Sequence, residues 1–360
     1  MKFRKRRILT SILLLSIFGV VCLTAAAVAS DVVKAPKPPV AATAPVSPLT
    51  GVPRIPLQHT VDVPAAQIPV LVYHEMNNGC QPTAVVCDAK DYETVSSTQF
   101  TDEMQWLYSQ GYHTITLPQY LQWLKNSSTM LLPSKPFLIT VDNGIGNFLT
   151  GAEATLYYYR YTATADVITG FADGAVGTCQ KHGVYNFQPG CPKANESWDL
   201  TWQQLQELSP QVYDFQLEAG ADGHYVQTYD MQCNVFDACE LPGESSKQYE
   251  TRVQAEIRNG LAEAQQKLGS RFTAASWVVP YSDLGYHCAH DGCPEDVTTG
   301  PPGWLQKFAE RHFEAVFVQD WFRNEIKHER FRFEIHASTT MQQFKAAIRG
   351  YLAKHAWGVN

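Results

Sequence analysis

The residues best placed to do chemistry are Asp142 and Asn143, which follow the apolar run Phe137-Leu138-Ile139-Thr140-Val141 and precede Gly144. Such a run reads as a strand buried on both faces, and an α/β enzyme commonly keeps a catalytic carboxylate at the carboxyl end of such a strand. A metal-dependent hydrolase would want two carboxylates there, one to take a proton from water and one to hold the ion. The second position is Asn143, and a neutral amide oxygen is a much poorer zinc ligand than a carboxylate. His74, His224 and His336 stand near other element ends and could be recruited to such a site.

The elements that must position these residues alternate along the chain. Ile68 to Tyr73 reads as a short strand ending at His74. Phe100, Met104 and Leu107 recur at helical spacing, with Ser96 and Ser97 as caps and Gly111 as the stop. After the strand Phe137 to Val141 come a helix near Ala152 to Tyr159, the strand Ala163 to Thr169, an insertion and a helix from about Thr201. The strand Phe215 to Leu217 precedes a long helix over Tyr249 to Leu268 and the strand Thr273 to Val279. Strands at Ala315 to Val318 and Arg332 to Ile335 and a helix from Ser338 to about Lys354 close the chain. Repeated strand–helix units imply a parallel sheet, and about seven of them predict a barrel with its site at the carboxyl ends of the strands.

The amino terminus predicts export. Lys2, Arg4, Lys5, Arg6 and Arg7 precede an apolar run from Ile8 to Ala29 that ends in Ala27-Val28-Ala29, so residues 1–30 read as a signal peptide or an uncleaved membrane anchor. Residues 31–66 are rich in Pro, Ala and Val, cannot bury enough surface to offset their chain entropy, and read as a disordered linker. Residues 67–360 then form one domain.

Eight cysteines beyond Cys22 fall into the local pairs Cys80 and Cys87, Cys179 and Cys191, Cys233 and Cys239, and Cys288 and Cys293. Neighbour pairing is the simplest of roughly 105 connectivities, and each short loop would stabilise by about 2–3 kcal/mol. An exported location favours disulfides. Zinc is the rival reading for Cys288 and Cys293, which have His287 and His290 beside them.

Net charge is −7, and loss of the five basic residues of the first 30, which hold no acid, takes it to −12. That balance argues against nucleic acid and anionic lipid as partners. It leaves the N-terminal segment, if uncleaved, as the only link to a membrane. Trp198, Trp202, Trp277, Trp304 and Trp321 offer rings that could stack on sugars or simply pack the core.

Read in order, these segments resemble the polysaccharide deacetylase family with its NodB-homology domain, and the subgroup that acts on poly-N-acetylglucosamine. Ile68 to His74 resembles the opening strand, Phe137 to Gly144 the T-F-D-D-G motif, and Tyr161 to Thr169 the strand after it. Leu217-Glu218-Ala219-Gly220-Ala221-Asp222 sits where the family has I-E-I-G-S-H, and Trp277 to Tyr281 where the subgroup has A-Y-P-Y-G. The resemblance implies a distorted (β/α)7-type barrel, here with disulfide-stapled insertions. It also implies amide hydrolysis assisted by an ion held by one Asp and two His, with an Asp as base and a His as acid.

Carried over by position, Asp142 matches the base and His336 the acid. Asn143 and Asp222 fall on metal positions, and Val226 replaces the third ligand. Pro280 and Tyr281 match a segment that binds the carbonyl oxygen through its main chain, while His74 and Trp321 would line the groove. The family arginine that orients the base has no match before Pro280, where Val278 and Val279 stand. Three readings result. The depleted metal set favours an extracytoplasmic protein that keeps a groove for N-acetylglucosamine polysaccharide, has no cofactor and has lost ordinary zinc-dependent turnover. A reorganised site with zinc or another divalent metal would make it an active N-deacetylase. An envelope protein without ligand is the third.

Overall fold

The computed structural model describes residues 49, 51–56, 63–64, 67–77, 93–126, 129–172, 176–181, 184–189, 200–220, 244–282, 303–319 and 329–356. Residues 1–30, expected to be a signal or anchor, most of the expected linker 31–66, Asp222, His224, Val226, Trp198, Trp321 and the cysteines other than Cys179 lie outside the described residues, as do the side chains of Cys179 and Tyr281.

Seven strands carry the fold: β1 (Val70–Tyr73), β2 (Pro136–Val141), β3 (Ala163–Ile168), β4 (Tyr213–Ala219), β5 (Phe272–Val278), β6 (Ala315–Gln319) and β7 (Glu329–Glu334). Each pairs in parallel with the next, and β7 pairs in parallel with β1, so spatial order equals chain order around a barrel. The barrel is distorted. Its ladders slip between Phe215 and Leu217 on one side of β4 and between Leu217 and Ala219 on the other. The short segment His113–Thr114 adds to the start of β2.

Side chains alternate across each strand, which sorts them into two environments. Leu71, Tyr73, Ile139, Val141, Ala165, Val167, Phe215 and Leu217 pack outward in the main core. Val70, Leu138, Val278 and Phe317 form a second cluster with Tyr120 and Leu121. The buried residues that alternate with the outward set on the carboxyl-terminal half are polar: Thr140, Asp142, Thr164, Asp166, Gln216, Glu218, Arg332 and Glu334. The barrel therefore has an apolar end and a polar mouth.

The connecting helices are α1 (Ser97–Ser109), α2 (Leu117–Asn126), α3 (Gly146–Tyr159), the single turn α4 (Thr169–Ala172), α5 (Trp202–Glu207), α6 (Ser246–Leu268) and α7 (Trp304–His312), with α8 (Met341–Ala356) last. Ser96 caps α1 by accepting the Gln99 N–H at 3.0 Å, and Gly111 ends it with φ +73°. Thr201 and Ser245 form capping boxes with Gln204 and Gln248. Phe100 of α1 and Phe148 of α3 meet Tyr73 with ring centroids 5.2 Å away, which locks both helices onto β1. Aromatic contacts of this kind add roughly 0.5–1.5 kcal/mol to the burial. On the far side, α6 approaches β4 so closely that a Cβ at Gly220 would lie 2.7 Å from the Glu256 carbonyl oxygen.

Several boundaries differ from the sequence expectation. α3 starts at Gly146 rather than near Ala152, and β7 starts at Glu329 rather than Arg332. The run Glu-Arg-Phe-Arg-Phe-Glu hides a strand because half its side chains are charged. Backbone pairing with Val316–Gln319 and a polar barrel interior override that composition. α2 and α7 and the hairpin of Val176–Lys181 with Val184–Pro189 were not anticipated at all. Trp202 and Trp277 are core residues and offer no platform to a sugar. Among the described residues no helix is long and apolar enough to cross a membrane.

Candidate functional site at the barrel mouth

Strand register assembles the mouth. Tyr73 lies opposite Val141 and Val72 opposite Glu334, so the next residues, His74 and Asp142, emerge beside each other and beside Glu334. The ends of three adjacent strands thus deliver two acids and a histidine to one place. Asn143 and Gly144 both take left-handed conformations, φ +61° and +62°, and turn the chain from β2 into α3. Asn tolerates that conformation better than most side chains.

Asp142 is held by an arginine that sequence reasoning missed. Arg332, only 1% exposed, donates from Nη1 to Asp142 Oδ1 and from Nη2 to Oδ2 at 2.8 Å, a bidentate pair. The same Nη1 reaches Asp166 Oδ2 at 3.1 Å and Thr140 Oγ1 at 3.2 Å. No arginine stands directly before Pro280, where Val278 and Val279 lie, yet an arginine on the base position does exist and comes from β7, 190 positions away. Nothing local in the sequence announces it. The only available signal was the alternation of Arg330 and Arg332 with phenylalanines.

The electrostatics follow from burial and pairing. Burial pushes Asp142 upward, but Arg332, His74 and a hydrogen bond from Asp166 outweigh it and hold its carboxyl below the usual range. Asp166, 0% exposed, goes the other way: burial and the negative charge of Asp142 push it well up, so it stays protonated. Gln216 Nε2 donates to its Oδ1 at 2.7 Å. One guanidinium therefore balances one carboxylate while the second carboxyl is neutral, and the buried cluster carries no net charge.

His74 stands between two acids, with Nε2 3.6 Å from Asp142 Oδ2 and Nδ1 3.8 Å from Glu334 Oε1. Burial opposes a charge on its ring, but Glu93, Asp142 and Glu334 prevail over that and over Arg332, raising it to about 9. Glu334 is pushed up to about 7, chiefly by burial. His336 Nε2 lies 3.6 Å from Glu334 Oε2, and burial and the charge of His74 lower it to about 4. At neutral pH His74 is the protonated imidazole and His336 the neutral one. The Gln99 side chain donates to the His336 carbonyl at 3.0 Å and fixes that turn against α1.

Asn143 faces another direction. Its backbone N–H donates to Glu218 Oε2 at 2.6 Å, and it lines a small recess of about 10 Å³ with Gly144, Val167, Ile168, Phe171, Leu200 and Leu205. An amide among apolar side chains is a poor cation site, and the other two family metal positions, Asp222 and Val226, lie outside the described residues. The described part of that donor set does not fit zinc. Pro280 is buried in a turn after β5, where Ser282 N–H donates to the Val279 carbonyl at 2.9 Å. The structure thus gathers Asp142, His74 and His336 around Glu334.

Comparison with solved structures gives the fold its relatives. The chain is similar to a de-N-acetylase from Aggregatibacter actinomycetemcomitans, with 18% identity and a TM-score of 0.56 over 77% of this chain and 98% of that one. It is similar to the Streptococcus pyogenes deacetylase PplD, solved with acetate, at 16% identity and a TM-score of 0.51 over 81% of this chain and 99% of that one. The BpsB deacetylase domain from Bordetella bronchiseptica matches at 19% identity and a TM-score of 0.50 over 74% of this chain and 94% of that one. No family model matches the chain, and no curated protein matches it. The distorted (β/α)7 barrel is the NodB-type fold of the polysaccharide deacetylases.

Proposed function

We propose that this chain is an extracytoplasmic polysaccharide-deacetylase-type protein that binds an N-acetylated envelope glycan at the barrel mouth without ordinary zinc-dependent deacetylation. The observation that carries this reading is Asn143: a neutral amide, not a carboxylate, stands beside Asp142 and borders an apolar recess. Asp142, oriented by Arg332, keeps the form of a base, but the amide beside it gives a metal no anionic anchor at the position from which an acidified water would be offered to that base. The neutral His336 adds to this, since a ring lowered to about 4 has no proton for a leaving amine at pH 7. Glycan binding needs less. Hydroxyls and acetamides need only hydrogen-bonding groups, which at the mouth are Asp142, His74, Glu334 and His336.

The test pairs two readouts on the full chain. Pulldown on chitin, peptidoglycan and poly-N-acetylglucosamine should retain the protein on at least one, while the same preparation releases no acetate from N-acetylglucosamine oligomers with added zinc, cobalt or nickel. Failure to bind all three favours an envelope protein without ligand. Acetate release lost in Asp142→Ala favours the active enzyme. One observation supports that second reading: His74, Glu93 and Glu334 bring one donor atom each to within 4.8 Å of one another, on the flank of Asp142.

A further inference from the structure

We infer that His74, Glu93 and Glu334 form a divalent-cation site of the zinc type, displaced from the position that Asn143 occupies. The inference goes beyond glycan binding and does not depend on it. The three residues come from separate places: His74 follows β1, Glu334 ends β7, and Glu93 precedes the short strand Thr94–Ser96. Their donor atoms all lie within 4.8 Å of one another.

Glu334 supplies the independent observation. It is 6% exposed, and among the described residues the side chains that face its carboxylate are two imidazoles. Its two oxygens face their nitrogens at distances too long for a hydrogen bond, 3.8 Å to His74 Nδ1 and 3.6 Å to His336 Nε2. A zinc–donor length of about 2.1 Å sets neighbouring donors of a tetrahedral site about 3.4 Å apart, near the 3.8 Å between Glu334 Oε1 and His74 Nδ1. A cation held between this carboxylate and the imidazole would supply the positive charge that the His74 ring otherwise provides.

The surroundings fit the same picture. With the ion on Nδ1, the other ring nitrogen of His74 faces Asp142 Oδ2 at 3.6 Å. A carboxylate opposite the free N–H is the usual companion of a metal-bound histidine and fixes its ring orientation. The site lies toward β1 and β7, whereas Asn143 and its recess lie toward β3 and β4. One imidazole and two carboxylates suit zinc or manganese and leave coordination positions for water or for a glycan oxygen.

The experiment is calorimetric titration of ZnCl₂ and MnCl₂ into the metal-depleted full chain, with circular dichroism to confirm that each variant folds. We expect about one zinc per chain, weakened at least tenfold in Glu334→Gln and in His74→Gln, with Glu93→Gln as a milder variant at a half-buried position. Binding that survives all three variants places the ion elsewhere and overturns the inference. So does no binding by the unaltered chain, which would leave an imidazolium as the only cation between the acids. Glycan retention in the same variants keeps the two proposals separable, because the binding reading fails only if the unaltered chain is not retained.

Discussion

Arg332→Met should convert the best-paired group of the barrel into its worst. Arg332 is 1% exposed and Asp142 4%, and the guanidinium also touches Asp166 and Thr140. Methionine keeps much of the volume and none of the charge, leaving Asp142 buried opposite the neutral Asp166. Removing one partner of a buried pair costs roughly 3–5 kcal/mol. At about 2.1 cal/mol/K per residue over the roughly 290 residues from Gln67 onward, that lowers the melting temperature by about 5–8 °C near pH 7. The pH dependence carries the diagnosis. In the parent the Asp142 carboxyl is depressed, so its contribution is present above its unfolded value and lost as pH falls through the folded one. In the variant burial acts unopposed by Arg332 and the carboxyl rises, so the folded state holds a proton that the unfolded chain releases. The loss should be largest at neutral pH and shrink as pH approaches 4. Arg332→Met with Asp142→Asn should recover part of it. Urea denaturation of the three proteins from pH 4 to 8 decides the matter. A single variant within 1 kcal/mol of the parent at pH 7, or a loss independent of pH, refutes the reasoning.

Glu103 makes the opposite linkage prediction. Burial raises it to about 7, above its unfolded value near 4.5, despite hydrogen bonds from Tyr73 at 2.8 Å and Gln99 at 3.1 Å. Stability should therefore decline between about pH 4.5 and 7 by up to roughly 3 kcal/mol, and Glu103→Gln should flatten that decline in denaturant midpoints at pH 5 and pH 8. Gly220→Ala should destabilise by about 1–3 kcal/mol in thermal unfolding, because the new Cβ meets the Glu256 carbonyl oxygen at 2.7 Å on a packed helix. Ser245→Ala should cost about 1 kcal/mol through loss of the cap on α6, and no change would mean that tertiary packing alone fixes that terminus.

The barrel was legible because its outward strand faces are apolar and its helices carry caps. Phe137 to Val141 and Ala163 to Ile168 read as buried strands because even their barrel-facing residues include enough aliphatics and threonines. β7 was harder, since Arg332 and Glu334 occupy interior positions that in most proteins would be apolar. α7 holds Trp304, Leu305, Phe308 and Ala309 on one side, a helical spacing between two stretches that carry no clear pattern. At the barrel mouth, Asp142, His74 and His336 follow strand ends, which fix location without fixing partners. The Arg332–Asp142 pair and the role of Glu334 depend on closure of β7 onto β1, a contact between the two ends of the domain that no local pattern encodes. Asn143 carries two meanings that sequence cannot separate. It is a left-handed turn residue as well as an amide where the resemblance expects a carboxylate.

The most direct test of the account is acetate release from N-acetylglucosamine oligomers, measured with added zinc on a preparation already shown to be retained by the same glycan. The account predicts retention with acetate no higher than in Asp142→Asn. Turnover that depends on Asp142 and disappears when the metal is removed would contradict it.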